Sequence, residues 1–175
     1  MDKDCLTYNL SEDEQLIARY VAALRQHMNR TSGVKDQAVK PGESYQADLN
    51  GYGAELAFAS ISNVCPDLSL HCRKGGYDLL YKENRIDVKT TTYKNGTLLS
   101  NKVNPDVDLY VLLIGQLPTF TFVGWVWSEE LIQEVNLKDF GHGKKKEAYA
   151  LKQDQLQSPK TFSRRKNETS YLSYM

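Results

Sequence analysis

Apolar residues at Leu16, Ile17, Tyr20, Val21, Leu24 and Met28 recur at the three-to-four spacing of a helix face. Ser11 and Glu14 precede them in the form of a capping box, so the pattern predicts an amphipathic helix over 12–30. A polar stretch with Gly33, Pro41 and Gly42 follows, long enough at about twenty residues to be a functional loop. Asn50-Gly51 then opens a second helical run from Tyr52 to about Ser62. Its small residues, Gly53, Ala54, Ala57 and Ala59, suit close packing on a sheet, and Glu55 is the one charge inside it.

After Pro66 the period changes from helical to extended. Leu68–Arg73 reads as a weak strand, and Tyr77–Tyr81 and Arg85–Tyr93 as stronger ones joined in a hairpin by Lys82-Glu83-Asn84. Val107–Ile114 is nearly continuous apolar sequence, the pattern of a strand buried on both faces. Phe120–Trp127 forms another strand, after which Ser128 caps a helix from Glu129 to about Val135. Beyond Lys138 the chain is basic and irregular, with a short strand near Tyr149 and a polar tail after Arg165. Two helices, a meander of strands and a last helix predict an α/β domain with a central mixed sheet flanked by helices.

Composition narrows the class. The chain has 175 residues, 22 basic against 22 acidic side chains, 41% hydrophobic and 25% charged residues, values of one globular domain. A chain this long buries roughly 70% of its unfolded surface, so its core needs neither disulfides nor a structural metal. Three scattered cysteines, Cys5, Cys65 and Cys72, read as free thiols of a reducing compartment, and Cys65, His71 and Cys72 lack a second cluster at zinc spacing. No apolar run approaches the roughly 20 residues of a membrane span, and Met1-Asp2-Lys3-Asp4 lacks the order of a secretion signal, so the expected location is the cytoplasm. The zero net charge hides an asymmetry: residues 1–67 hold six basic and ten acidic groups, a net of −4, and residues 138–166 hold nine and three, a net of +6. A basic last third suits a polyanion, although on charge alone a solvated surface explains it equally well.

The hairpin holds the candidate chemistry. Along Ile86-Asp87-Val88-Lys89-Thr90-Thr91, strand alternation puts Asp87, Lys89 and Thr91 on one face and Ile86 and Val88 on the other. The turn brings Asp78 near Asp87. Two close carboxylates repel, and a hard cation such as Mg²⁺ relieves that repulsion.

Glu55 in a helix, Asp78 in a strand and Asp87-Val88-Lys89 in the next strand together resemble the PD-(D/E)XK nuclease superfamily. The resemblance covers roughly residues 50–130: Gly53-Ala54-Glu55-Leu56-Ala57 is similar to the family's helix glutamate, and Asp108-Leu109-Tyr110-Val111-Leu112 to its following core strand. Tyr77 stands where the family's motif has proline. The resemblance implies a restriction-endonuclease-like core and hydrolysis of DNA phosphodiesters in repair, recombination or restriction, in a single domain of phage type. It implies that Asp78, Asp87 and the Val88 carbonyl hold Mg²⁺ or Mn²⁺ and that Glu55 completes the site directly or through water. Lys89 would orient the attacking water and stabilise developing charge, with Thr91 in support. The alternative is a catalytically inactive nucleic-acid-binding module on the same fold; a surface hairpin without metal affinity is a third reading.

Lys144, Lys145 and Lys146 with Arg164, Arg165 and Lys166 read as phosphate-neutralising groups, and Lys94 and Lys102 as others nearer the scissile bond. Gly141-His142-Gly143-Lys144 fails the Walker pattern, since Lys138 stands at the first glycine and no Ser or Thr follows the lysine. His27, His71 and His142 have no partner set, and Tyr110, Trp125 and Trp127 lie in strand patterns as core. A monomer could nick one strand, whereas paired cuts would favour a homodimer.

Overall fold

The computed structural model describes residues 5–33, 44–68, 76–101, 103–140 and 147–162. In chain order its elements are β1 (Leu6–Asn9), α1 (Glu12–Thr31), α2 (Ser44–Ser62), β2 (Leu79–Tyr81), β3 (Asn84–Thr91), β4 (Leu98–Ser100), β5 (Leu109–Gln116), β6 (Thr119–Trp127), α3 (Ser128–Leu131), β7 (Leu137–Asp139) and β8 (Glu147–Leu151). A mixed sheet in the order β1-β6-β5-β3-β2 is the centre, with β3 and β5 parallel and the other pairs antiparallel. A smaller sheet, β4-β8-β7, is separate. The expected mixed α/β architecture is present.

Two cores explain the layering. Leu109, Val111 and Leu113 of β5 join Ile86, Phe120, Phe122 and the buried residues of α1 and α2. Tyr110 and Leu112, alternating with them, join Leu98, Val126, Leu131 and Leu151 on the other face. So β5 is buried on both faces, as its continuous apolar sequence predicts, under α2, on which α1 packs, on one side and the small sheet with α3 on the other. Where Leu112 pairs with Gly124 and Leu113 with Phe122, Val123 is an extra residue on β6. This bulge returns Trp125 to the helix-side core that Phe120 and Phe122 occupy.

α1 starts at the expected box: Ser11 Oγ accepts from the Glu14 amide at 3.3 Å, and the Glu14 carboxylate accepts from the Ser11 amide at 2.7 Å. Its buried residues are Ala18, Val21 and Ala22, so of the predicted apolar face only Val21 is buried. The alanines allow close approach to α2, which the larger stripe would prevent. α2 opens at Ser44 rather than at Asn50-Gly51. Asn50 fits mid-helix because its Oδ1 accepts from Gln46 Nε2 at 3.0 Å and from the Leu117 amide at 3.3 Å, satisfying the β5–β6 turn.

The remaining differences are short elements. β1, β4 and β7, of four, three and three residues, have no expected counterpart, being too short for alternation to register. The expected helix 129–135 is α3 followed by a 3₁₀ turn at Glu134–Asn136, and Ser128 is its first residue, with Trp127 at the cap position and no side-chain cap. The strand expected to reach Tyr93 ends at Thr91. The strand near Tyr149 is β8, and the strand expected at Leu68–Arg73 lies outside the described residues beyond Leu68. Among the described residues, Cys5 and Cys65 are free and exposed, and no helix is long and apolar enough to cross a membrane.

Candidate active site

The hairpin that carries the site turns in two residues. Tyr81 pairs with Asn84, and Lys82 and Glu83 both take positive φ, 46° and 70°, the twist that matches two right-handed strands. At the start of β3, next to that turn, Arg85 ties the strand to Asp108, the residue that precedes β5. Its Nε and Nη2 donate to the two carboxylate oxygens of Asp108 at 3.0 and 2.9 Å, and its amide donates to Asp108 Oδ2 at 2.7 Å. That fork holds the Asp108 carboxyl below its ordinary pKa, chiefly through the hydrogen bonds.

Asp78 stands just before β2, where the two strands part. Its amide still donates to the Ile86 carbonyl at 2.8 Å, but one step on, Asp78 Oδ2 accepts from the Val88 amide at 2.7 Å in place of a backbone partner. The amide and carbonyl of one strand residue point to the same edge, so the Val88 carbonyl lies on the edge that Asp78 occupies. Asp87 stands close enough to Asp78 to shift its pKa, and Asp87 Oδ1 lies 2.5 Å from Lys89 Nζ. Lys89 Nζ is 5.8 Å from the centroid of the Tyr110 ring, on the small-sheet side. The structure therefore brings Asp78, Asp87, Val88 and Lys89 together.

Glu55 reaches this cluster from α2 and is held by a residue that sequence reasoning missed. Arg25 of α1 donates from Nη1 to Glu55 Oε2 at 3.1 Å and from Nη2 to the Asp67 carbonyl at 3.2 Å. Its guanidinium lies 4.6 Å from the centroid of the Tyr52 ring. A single arginine in an amphipathic helix carries no local signal that could have found it. Only the packing of α1 on α2 brings it to Glu55.

Burial dominates the electrostatics. Glu55 and Asp87 expose 15% and 16% of their side chains, so water screens them little. Desolvation pushes the carboxyl of Glu55 up, and the nearby Asp78 pushes it further. Asp78 is pushed up by desolvation and then by Asp87, and Asp87 by desolvation against the opposing pull of Lys89. Three carboxylates against Arg25 and Lys89 make a site short of positive charge.

Hard oxygen donors withdrawn from water suit a divalent cation, and the Asp78–Asp87 pair with the Val88 carbonyl fits one. Among the described residues no three His, Cys, Asp or Glu side chains form a ready cage. Glu55, engaged by Arg25, stands beside the pair instead of closing around it. Thr91 shares the face of Lys89, but its Oγ1 accepts from the Tyr93 amide at 3.3 Å. Next to Lys89, the buried Thr90 Oγ1 has no hydrogen-bond partner among the described residues.

Lys89 also lines an open cavity of about 430 Å³ with Leu99, Asn101, Phe140 and Ala148. Lys94 is exposed, and its carbonyl accepts from Gln153 Nε2 at 2.8 Å. The other expected phosphate contacts, Lys102, Lys144, Lys145, Lys146, Arg164, Arg165 and Lys166, lie outside the described residues, as do His71, Cys72 and His142. The chain matches no known protein family, no curated protein and no solved structure.

Proposed function

We propose that this chain is a divalent-metal-dependent nuclease acting on DNA, with Asp78, Asp87 and Lys89 as its catalytic groups. The observation that carries the reading is the buried Asp78–Asp87 carboxyl pair with Lys89 Nζ 2.5 Å from Asp87, at the point where β2 and β3 part. A pair of acids whose carboxyls burial pushes up, beside a fixed ammonium, is costly in a surface hairpin and useful in phosphate chemistry.

Asp78, Asp87 and the Val88 carbonyl would hold Mg²⁺ or Mn²⁺. When bound, that ion would lower the pKa of a water and neutralise charge on the phosphate. The chain's own residues supply the rest. Lys89, held by Asp87 and flanked by Tyr110, presents its ammonium toward the phosphate and stabilises the developing charge. Glu55, kept in place by Arg25, would complete the site through water. The open cavity of about 430 Å³ beside Lys89 is the place for a nucleotide, with Phe140 and Leu99 as apolar wall and Asn101 as a polar contact. Lys94 and the basic residues of 138–166 neutralise backbone phosphates.

Labelled single-stranded, duplex and branched DNA incubated with Mg²⁺, Mn²⁺ or EDTA tests the reading. Cleavage is expected with either metal and not with EDTA. Asp87→Asn is expected to remove it, and Lys89→Met to slow it by roughly 10²–10³-fold. The pairing of Glu55 with Arg25 favours a second reading, a metal-free nucleic-acid-binding module. DNA bound equally by the native chain and both variants, with no substrate cut, would select that reading and sink the first.

A further inference from the structure

α1 carries a surface that the site does not use. Leu16, Ile17, Tyr20, Leu24 and Met28 are 52%, 42%, 64%, 46% and 40% exposed. At about 100° per residue they form one stripe, with His27 between Leu16 and Tyr20, that faces away from the buried Ala18 and Ala22 and is bordered by the buried Val21 next to Met28. From Leu16 to Met28 the stripe runs about 18 Å at 1.5 Å per residue. A contiguous apolar strip on one helix is a surface that association removes from water.

The charges along its edge say what covers it. Glu12, Arg19, Ala23 and Arg30 fall along a single flank of the stripe, all of them exposed. The acidic residues crowd the first turn, Glu12, Asp13 and Glu14, and Arg30 stands in the last. When two copies of a helix pair antiparallel, the same flank of each meets the other in reverse order. Glu12 of one copy then lies opposite Arg30 of its partner, twice by symmetry, and Arg19 lies opposite the small Ala23. Leu16 falls near Met28 and Tyr20 near Leu24. A parallel pairing would instead set this flank against the partner's other flank and lose the Glu12–Arg30 match. The pattern is complementary to its own reverse, the requirement of a twofold interface.

We propose that a second copy of this chain covers the stripe, with the two α1 helices antiparallel and Glu12 facing Arg30 across the twofold axis. This inference is independent of the nuclease reading.

Sedimentation velocity of the full chain, from low to high micromolar concentration at low salt, is the test. The native chain is expected to pass from monomer to dimer. Tyr20→Glu combined with Leu24→Glu is expected to hold it as a monomer with unchanged circular dichroism, since both positions are exposed. Arg30→Glu is expected to weaken the dimer about tenfold by placing like charges opposite each other, and adding Glu12→Arg should restore it. A monomer at every concentration, or a dimer that survives the double glutamate variant, overturns the proposal. A dimer indifferent to the charge reversal overturns the antiparallel arrangement.

Discussion

Asp78, Asp87 and Lys89 were legible as a set because strand alternation and a short hairpin are local rules, and they suffice to bring the three together. Arg25 was not, because it reaches Glu55 only through the crossing of two helices. The three raised carboxyls have a thermodynamic consequence for the metal-free protein. Each binds its proton more tightly in the folded chain than in the unfolded one, so between the ordinary carboxylate range and the raised values the folded state holds more protons. Stability is therefore greatest below the ordinary range and falls as pH rises through the raised values. Urea unfolding in EDTA is expected to show a lower midpoint at pH 8 than at pH 5.5. Asp87→Asn should flatten that slope, since it removes one titrating group and a charge that raises Asp78. A slope that the variant leaves unchanged would mean that the cluster does not govern it.

Among the elements, α2 couples site and core. It presents Glu55 to the hairpin, and its small residues let its backbone settle on the sheet. A Cβ added at Gly53 would stand 2.9 Å from Phe120 Cζ and 3.3 Å from Leu117 Cδ1. Phe120 is fully buried and cannot yield freely. Alanine would gain up to about 1 kcal/mol of helix propensity there, but overpacking against a fixed ring costs about 1–3 kcal/mol. Gly53→Ala is thus expected to destabilise the fold by about 1 kcal/mol, read from the urea midpoint, and a stabilised variant would show that α2 can shift on the sheet. Asn50-Gly51 reads locally as a breaker, so the pattern predicts this helix to start late. The Asn50 side chain instead accepts from the Leu117 amide, a partner 67 residues away.

For the whole molecule, a cation that binds only the folded chain adds stability of about 2.7 kcal/mol at a hundred times its dissociation constant. For a domain of this size each kcal/mol raises the melting temperature by roughly 2–4 °C. Saturating Mg²⁺ should therefore raise the midpoint of thermal unfolding by several degrees in the native chain. It should leave the Asp78→Asn, Asp87→Asn double variant unmoved. An equal rise in both would place the ion elsewhere.

By itself the sequence determined what depends on near neighbours. The capping box started α1, alternation paired Asp87 with Lys89, the hairpin joined Asp78 to them, and a continuous apolar run marked β5 as buried on both faces. Tertiary structure alone decided what depends on distant packing. It chose which face of α1 is buried, and it chose the alanines because α2 approaches too closely for leucine and tyrosine. It recruited three short strands that only a neighbouring strand can define. It also set Arg25 on Glu55, because a helix crossing joins residues thirty positions apart that no local pattern relates.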